Sequence, residues 1–396
     1  MKKVLIIGAG FLQAYVIRRA KELGYDTYAL DGDPNAVGFQ IADHSACINI
    51  VDEQACLEYA AENRINGVLT AATDYGVLTA SYIAEKLSLN GLDYETAKLI
   101  KNKYLVRKRL CEYSVDTANQ AYEADLKTDI KALSELLCYP VMVKPCDGSG
   151  SRGAGKANNP DEFLSACKRA IESSLTNRAE IESFVAGSEY GVETFTENGN
   201  IHILAVMRKQ MTAPPYYAEL GHAVPSGLRP DTEANVKACA EKALKALGVN
   251  FGSVNMDLII TDDENIHIVD VGARMGGNLI GSHIVPTATG IDYIGNMIKA
   301  AVGDKTDFTQ SVEGTVATRL LALSPGKVAS LPDFENIEQK YGVKIEHHLS
   351  RGDVITPYRT NIDGCGYVVC RRDDVTTAEK IAETVRLEID KTIERE

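Results

Sequence analysis

Two stretches of the chain carry residues whose types and spacing suit phosphate and metal chemistry. The first, KPCDGSGSRGAGK from Lys144 to Lys156, spells G-x-x-x-x-G-K between Gly150 and Lys156. A nucleotide-binding loop of that pattern continues with Ser or Thr, whose hydroxyl holds magnesium, and opens a helix at once. Here Ala157 follows, and the next helix start is Pro160 with Asp161. The loop therefore reads as a glycine-rich flap between two strands, able to turn backbone N–H groups toward a triphosphate.

The second stretch is VNMDLIITDDENIHIVDVGARMGGN, Val254 to Asn278. Two strand-like runs flank the polar residues Asp262 to Asn265. A four-residue hairpin loop there pairs Thr261 with Ile266, Ile259 with Ile268 and Asp257 with Asp270. Their β-carbons would lie about 5 Å apart. Two ionised carboxylates at that distance repel by about 3 kcal/mol at an effective dielectric near ~20. A divalent cation reverses the sign, and carboxylate oxygens joined by phosphate oxygens suit Mg²⁺. Arg274, four residues past Asp270, sets a fixed cation beside such a metal. The alternatives are an exposed hairpin with scattered acids, or a register slipped by one residue.

Other candidates are less specific. KQMTAPPYYAELGHAVPSGLR, Lys209 to Arg229, holds Glu219 and His222 three apart. It reads either as a substrate loop, with Glu219 meeting an ammonium group, or as a plain surface loop. His283 is read as a hydrogen-bonded core histidine or a pocket residue, and His347-His348 as surface. Gly8-Ala9-Gly10 with Asp31 about twenty residues on matches two glycines of a dinucleotide fingerprint, but its third position is Gln13. A tight turn capping a strand is the competing reading. Nine Cys without a C-x-x-C pair argue against a zinc site or disulfide framework.

These residues need elements to hold them. VLIIG (Val4 to Gly8), TYALD (Thr27 to Asp31) and GVLTAA (Gly67 to Ala72) alternate with helical patterns, which predicts a parallel sheet. From YPVMVKP (Tyr139 to Pro145) onward, strands follow one another through turns such as Asn198-Gly199, the antiparallel hairpin signal. The expected units are a Rossmann-like domain over residues 1–95, a helical linker over 96–138 and a small lid subdomain over 139–205. A large subdomain with the metal site over 206–310 and an α+β unit over 311–396 complete the chain. One helix is expected from Tyr94 to Tyr113. With 45% hydrophobic residues the chain has ample core, and a net charge of −13 argues against a nucleic-acid or anionic-membrane surface. The N-terminal apolar run is too short for a signal peptide and no segment approaches the ~20 apolar residues of a membrane span. The cytoplasm is the expected setting.

The ordered set is specific where its members are not. A lysine on a helix, a strand-borne lysine, a glycine-rich flap, E-x-F-V, G-x-E, and two acids on a hairpin followed by arginine together resemble the ATP-grasp superfamily of carboxylate–amine ligases. The resemblance spans roughly residues 1–310. It implies an α/β and α+β multidomain chain, an ATP-grasp fold behind an N-terminal Rossmann-like (pre-ATP-grasp) parallel sheet. It implies ATP and Mg²⁺, with Mn²⁺ as a substitute, and small-molecule carboxylate and amine substrates, with a homodimer as the assembly. Lys103 and Lys144 then resemble the lysines on the nucleotide phosphates, and Gly148, Ser149, Gly150, Ser151 and Gly153 the flap above them. Glu182, Ser183, Phe184 and Val185 resemble the hinge around adenine, and Glu189 the acid on the ribose. Asp257 and Asp270 take the metal-binding places. Lys144, Arg152 and Arg274 are the implied catalytic cations, with Arg274 steadying the acyl phosphate. Glu219 and His222 before a proline, and the A-R-x-G-G turn ending in Gly276 and Gly277, are similar to the L-amino-acid ligases of that superfamily and imply an amino-acid substrate at Glu219, His222, Arg274, Gly276 and Gly277. Met275-Gly276-Gly277-Asn278 after Arg274 disfavours a biotin carboxylase.

One position departs from the pattern. The family has Glu-x-Asn-x-Arg where this chain has Asp270-Val271-Gly272-Ala273-Arg274. Gly272 offers no metal-binding oxygen, so water or Asn278 completes the shell, or a second magnesium is held less tightly. The competing functions are a ligase of nucleotide-precursor or sugar-linked amines, a nucleotide sensor without turnover, and a nicotinamide oxidoreductase.

Overall fold

The computed structural model describes residues 1–117, 121–214 and 216–396. Residues 118–120, within the expected linker, and Pro215, within the expected substrate loop, lie outside the described residues. The unbroken apolar run Val4 to Ile7 is fully buried, as a strand covered on both faces must be. It belongs to Lys3–Ile7, an inner strand of a four-stranded parallel sheet ordered His44–Cys47, Asp26–Asp31, Lys3–Ile7, Gly67–Thr70. Helices Gln13–Glu22, Glu53–Glu62 and Val77–Lys86 alternate with these strands.

The expected single helix from Tyr94 to Tyr113 is two. Asn102 adopts an extended conformation (φ −108°, ψ 106°), and its side chain accepts a hydrogen bond from the Leu105 N–H. Asn at an N-cap satisfies donors that the helix leaves open. The break separates Tyr94–Lys101 from Lys103–Glu112 and puts Lys103 at the start of the second helix.

A second four-stranded sheet, antiparallel, runs Ala121–Asp125, Arg178–Ser183, Val141–Pro145, Gly155–Ala157. Phe163 and Ile171 of the helix Pro160–Ser173 pack on Val141, Val143 and Ile181 to form its core. The third and largest sheet has eight antiparallel strands, in the order Ile266–Gly272, Gly252–Ile260, Ser188–Glu197, Asn200–Met211, Glu219–Val224, Val316–Leu320, Gly366–Arg371, Lys344–His347. Two expected boundaries therefore move. Residues 188–205 belong to the sheet of the metal hairpin rather than to that of the lid, Ser188–Glu197 pairing with Gly252–Ile260, and strands from 311–396 extend that same sheet. Asn198 and Gly199, both at positive φ, close the expected hairpin.

Helix Pro230–Leu247 covers one face of the large sheet through Val236, Ala240, Ala243, Leu244 and Leu247, spaced for a single helical stripe. They meet Val192, Val206, Val254, Met256 and Leu258, and each large aliphatic group so buried contributes about 1.5–3 kcal/mol. Tyr293–Ala301 covers the other face and joins it to the N-terminal sheet.

The metal hairpin carries a correction. Its loop runs from Thr261 to Asn265, so Ile260 pairs with Ile266, Ile259 with His267 and Leu258 with Ile268, one residue off the expected register. A bulge then leaves Val269 unpaired and restores Asp257 opposite Asp270. Bulges re-aim backbone groups beside functional sites, and this one frees the Val269 carbonyl.

Candidate active site

Between the small and large sheets lies a cleft of about 430 Å³, within the range of ligand sites. Strand Val141–Pro145 alternates, burying Val141, Val143 and Pro145 and turning Met142 and Lys144 into the cleft. Lys144 Nζ donates to Glu182 and, at 2.9 Å, to the Val269 carbonyl that the bulge frees. An ammonium has three donors, so one is left for a phosphate oxygen. Lys103 Nζ donates to Asp270.

The hairpin places Asp257 and Asp270 on the cleft wall as cross-strand partners. Their repulsion is relieved in a way the sequence reading missed: each has its own lysine. Lys209 Nζ lies 2.8 Å from Asp257, 2.6 Å from Glu219 and 3.8 Å from Glu189, with only 1% of its side chain exposed. Burial pulls the Lys209 ammonium down, and Asp257 with Glu219 and Glu189 outweigh it and hold the group above its ordinary range. Burial raises the Asp270 carboxyl, yet Lys103 overrides it and leaves it at about 2. Glu219 is likewise held at about 2 against burial, chiefly by Lys209. Asp257, sharing its lysine with two other acids, is raised by burial.

The donor set fits magnesium. Among the described residues no group of three or more His, Cys, Asp or Glu is arranged to hold a metal alone. Two facing carboxylates completed by nucleotide phosphates are the usual protein share of a Mg²⁺ site. Lys209 meets Asp257 at Oδ1, and Lys103 and the Val271 N–H meet Asp270 at Oδ1.

The flap forms the roof. Gly148, Ser149, Gly150, Ser151 and Arg152 line the cleft, whereas Gly153 sits under them at φ +72° with Ser173 2.6 Å from where a β-carbon would be. Asp147 anchors its base by accepting from Leu175 N–H at 3.1 Å and Thr176 N–H at 2.9 Å. At the tip, Ser151 Oγ donates to the Tyr217 carbonyl at 3.0 Å and Arg152 donates to the Tyr75 hydroxyl.

The hinge differs in detail from the expectation. The Glu182 side chain is held by Lys144 and by buried Arg107, whose Nε and Nη2 lie 3.1 and 2.7 Å away, so its carboxylate locks the hinge. The Phe184 N–H donates to the Pro140 carbonyl at 3.0 Å, so Phe184 offers a base its ring and carbonyl rather than its N–H. With Met142, Val185, Met211 and Ile259 it makes the apolar end of the cleft. Ser183 and Glu189 also line it.

Five expected site residues lie outside this lining: Gly153, His222, Arg274, Gly276 and Gly277. His222 sits across the strand pair from Lys209, fully buried, and its Nδ1 has no hydrogen-bond partner among the described residues. Burial pushes its imidazole down to about 4. Gly276 turns inward, its N–H donating to buried Glu193 at 3.1 Å, and a β-carbon there would meet Ile280 at 2.6 Å. Gly277 packs near Leu12. Asn278 does not reach the metal place, because it is held by Glu219 and by the Tyr367 hydroxyl at 3.1 Å. Arg274 faces Asp74 of the N-terminal unit, Nε to Oδ1 3.1 Å and Nη2 to Oδ2 3.2 Å.

Of the other histidines, His283 is half-buried between Ser282 and Glu346 and outside the cleft lining. His347, expected at the surface, stacks on Phe334 with centroids 4.0 Å apart. Asp31 spends its carboxylate on the Ala9 and Asp33 N–H groups at 2.7 and 2.9 Å, which leaves the Gly8-Ala9-Gly10 turn as a strand cap. No helix among the described residues is long and apolar enough to cross a membrane.

Three family models match the chain: the ribonucleotide synthetase preATP-grasp domain over residues 1–72, the ATP-grasp domain over 137–282, and the L-amino acid ligase C-terminal domain 2 over 319–394. Among solved structures, the chain is similar to an L-amino acid ligase from Bacillus licheniformis at 20% identity, TM-score 0.85, covering 98% of both chains. It is also similar to a phosphoribosylglycinamide synthetase from Anaerococcus prevotii at 21% identity and TM-score 0.78, again covering 98% of both. A 2-oxoglutarate carboxylase small subunit from Hydrogenobacter thermophilus is 23% identical over 396 aligned residues, covering 90% of this chain and 80% of that protein. At these identities the likeness to solved structures establishes the fold.

Proposed function

We propose that this chain, which carries an ATP-grasp domain with a preATP-grasp domain before it and an L-amino acid ligase C-terminal domain 2 after it, is an ATP-dependent ligase joining an amino-acid carboxylate to an amine. The observation that carries this reading is the meeting, in one cleft, of Lys103, Lys144, the glycine flap and the facing pair Asp257 and Asp270.

A substrate carboxylate oxygen attacks the γ-phosphorus of ATP, forming one O–P bond as the bond to ADP breaks. The amine nitrogen then attacks the acyl carbon, phosphate leaves with the C–O bonding pair, and the amine proton passes to solvent. Phosphoryl transfer of this kind asks a protein for alignment and charge neutralisation rather than a nucleophile. Lys103, Lys144 and Arg152 supply fixed positive charge around the transferred group. Mg²⁺, with Mn²⁺ as a substitute, would be held by Asp257 and Asp270 and would neutralise charge on the phosphate oxygens. Phe184, Val185 and Met211 take the base, and Glu189 the ribose hydroxyls. The closed flap keeps water from the acyl phosphate. Arg274 and Glu219 border the acceptor side, and a homodimer in the cytoplasm is the proposed setting.

The match of residues 1–72 to a ribonucleotide synthetase domain supports a second reading, in which the amine belongs to a nucleotide precursor. Phosphate release with ATP and Mg²⁺ across the twenty amino acids, singly and in pairs, each with and without a sugar-phosphate amine, separates the two. Release from amino acids alone supports the first reading; release that requires the sugar-phosphate amine supports the second.

A further inference from the structure

The loop after strand Gly67–Thr70 does more than close the N-terminal sheet. Ala71 bridges Met275, and the Ala72 N–H donates to the Met275 carbonyl at 3.0 Å, so the loop is stitched to the turn that carries Arg274. Its next residues reach in two directions. Asp74 Oδ2 accepts a hydrogen bond from Arg274 Nη2 at 3.2 Å, and Oδ1 pairs electrostatically with Nε at 3.1 Å. Tyr75 takes the flap: its hydroxyl accepts from Arg152, the Arg152 guanidinium lies 5.6 Å from its ring centroid, and Lys101 Nζ lies 4.9 Å from it. Lys101 in turn donates to the Asp147 carbonyl at the flap base at 3.0 Å. Gly272 completes the arrangement. A β-carbon there would lie 3.0 Å from Arg274 Cζ and 3.1 Å from Asp74 Oδ1, so the space a side chain would fill is taken by this ion pair.

We propose that Asp74 and Tyr75 are positioning residues that tie the closed flap to Arg274, so that closure over the nucleotide and placement of the arginine happen together. The absent side chain at Gly272 is then the room this device needs. Its consequence for ligation rests on the ligase reading, because a flap that opened before the amine arrived would lose the acyl phosphate to water.

Flap closure can be read without turnover. Trypsin cleavage after Arg152, followed by mass spectrometry with and without Mg²⁺ and a non-hydrolysable ATP analogue, reports whether the flap is held. Tyr75→Ala is expected to speed that cleavage on the order of tenfold, the scale of one charge-assisted hydrogen bond lost, with Tyr75→Phe between it and the wild type. Cleavage elsewhere and the circular-dichroism melt should be unchanged, which separates a loosened flap from a misfolded chain. Asp74→Asn should raise the ADP formed per ligated product while leaving the ATP requirement in place. Tyr75→Ala cleaved at the wild-type rate overturns the proposal even if ligation is found. Faster cleavage in a protein that ligates nothing leaves the flap tie standing and sinks the ligase reading instead.

Discussion

Lys209 is the most consequential side chain outside the resemblance, and Lys209→Met tests its role. Its ammonium is the shared counterion of Glu219, Asp257 and Glu189, at 2.6, 2.8 and 3.8 Å. Each of the two short contacts is worth about 6 kcal/mol of attraction at an effective dielectric near ~20, against a desolvation cost of several kcal/mol per buried ion. Removing one partner of a buried pair typically costs about 3–5 kcal/mol, because the remaining charges have lost their solvent and gained nothing. At about 2–4 °C per kcal/mol for a unit of this size, the melting temperature should fall by roughly 6–20 °C. The chain has no Trp, so the assay is far-ultraviolet circular dichroism. Lys209→Met combined with Glu219→Gln and Asp257→Asn should recover more than half of the loss, a non-additivity expected only of groups in contact. A single variant melting within about 2 °C of the wild type, less than 1 kcal/mol, would refute the idea that this lysine holds the cleft wall together.

Three further outcomes follow from the same geometry. Asp270→Asn should cut phosphate release on the order of 10³-fold while calorimetry still detects weakened ATP binding; a near-normal rate removes Asp270 from the metal place. His222 titrates at about 4 in the fold against an ordinary value near 6.5, so the unfolded chain binds the extra proton between them. Stability is therefore lost as pH falls through that window, by about 3 kcal/mol in full, and urea midpoints of His222→Gln should be flatter from pH 7 to 4.5 than those of the wild type. Gly272→Asn should destabilise by about 1–3 kcal/mol through overcrowding against Arg274 and Asp74, and Asp74→Ala in the same chain should relieve it; additive melts would show that the two sites do not share space.

The parts of the site legible in the sequence are those set by short-range pattern. Strand alternation around a polar turn put Asp257 opposite Asp270, even though the loop is one residue longer than expected, because the bulge at Val269 compensates. The flap was legible from its glycines and from the absence of a hydroxyl at Ala157. What stayed hidden depends on which strand lies beside which. Lys209 occupies an ordinary alternating position in Asn200–Met211, and nothing local says that Glu219 and Asp257 flank it. Antiparallel strands look alike on either side of residue 188, so the sequence could not assign Ser188–Glu197 to the large sheet. No local pattern marks Arg107 or Glu193, and only the packed interior makes them buried partners of Glu182 and Tyr293. Asp74 and Tyr75 sit in a connecting loop of another unit, where no periodicity marks them.

The central claim, that the cleft transfers the γ-phosphoryl group of ATP to a carboxylate, is open to one direct measurement. A carboxylate substrate that supports phosphate release is labelled with oxygen-18 in both oxygens, and the released phosphate is analysed by mass spectrometry. Attack by the carboxylate predicts one labelled oxygen in every phosphate formed. Unlabelled phosphate at the same rate would mean that water is the acceptor, and would contradict the account.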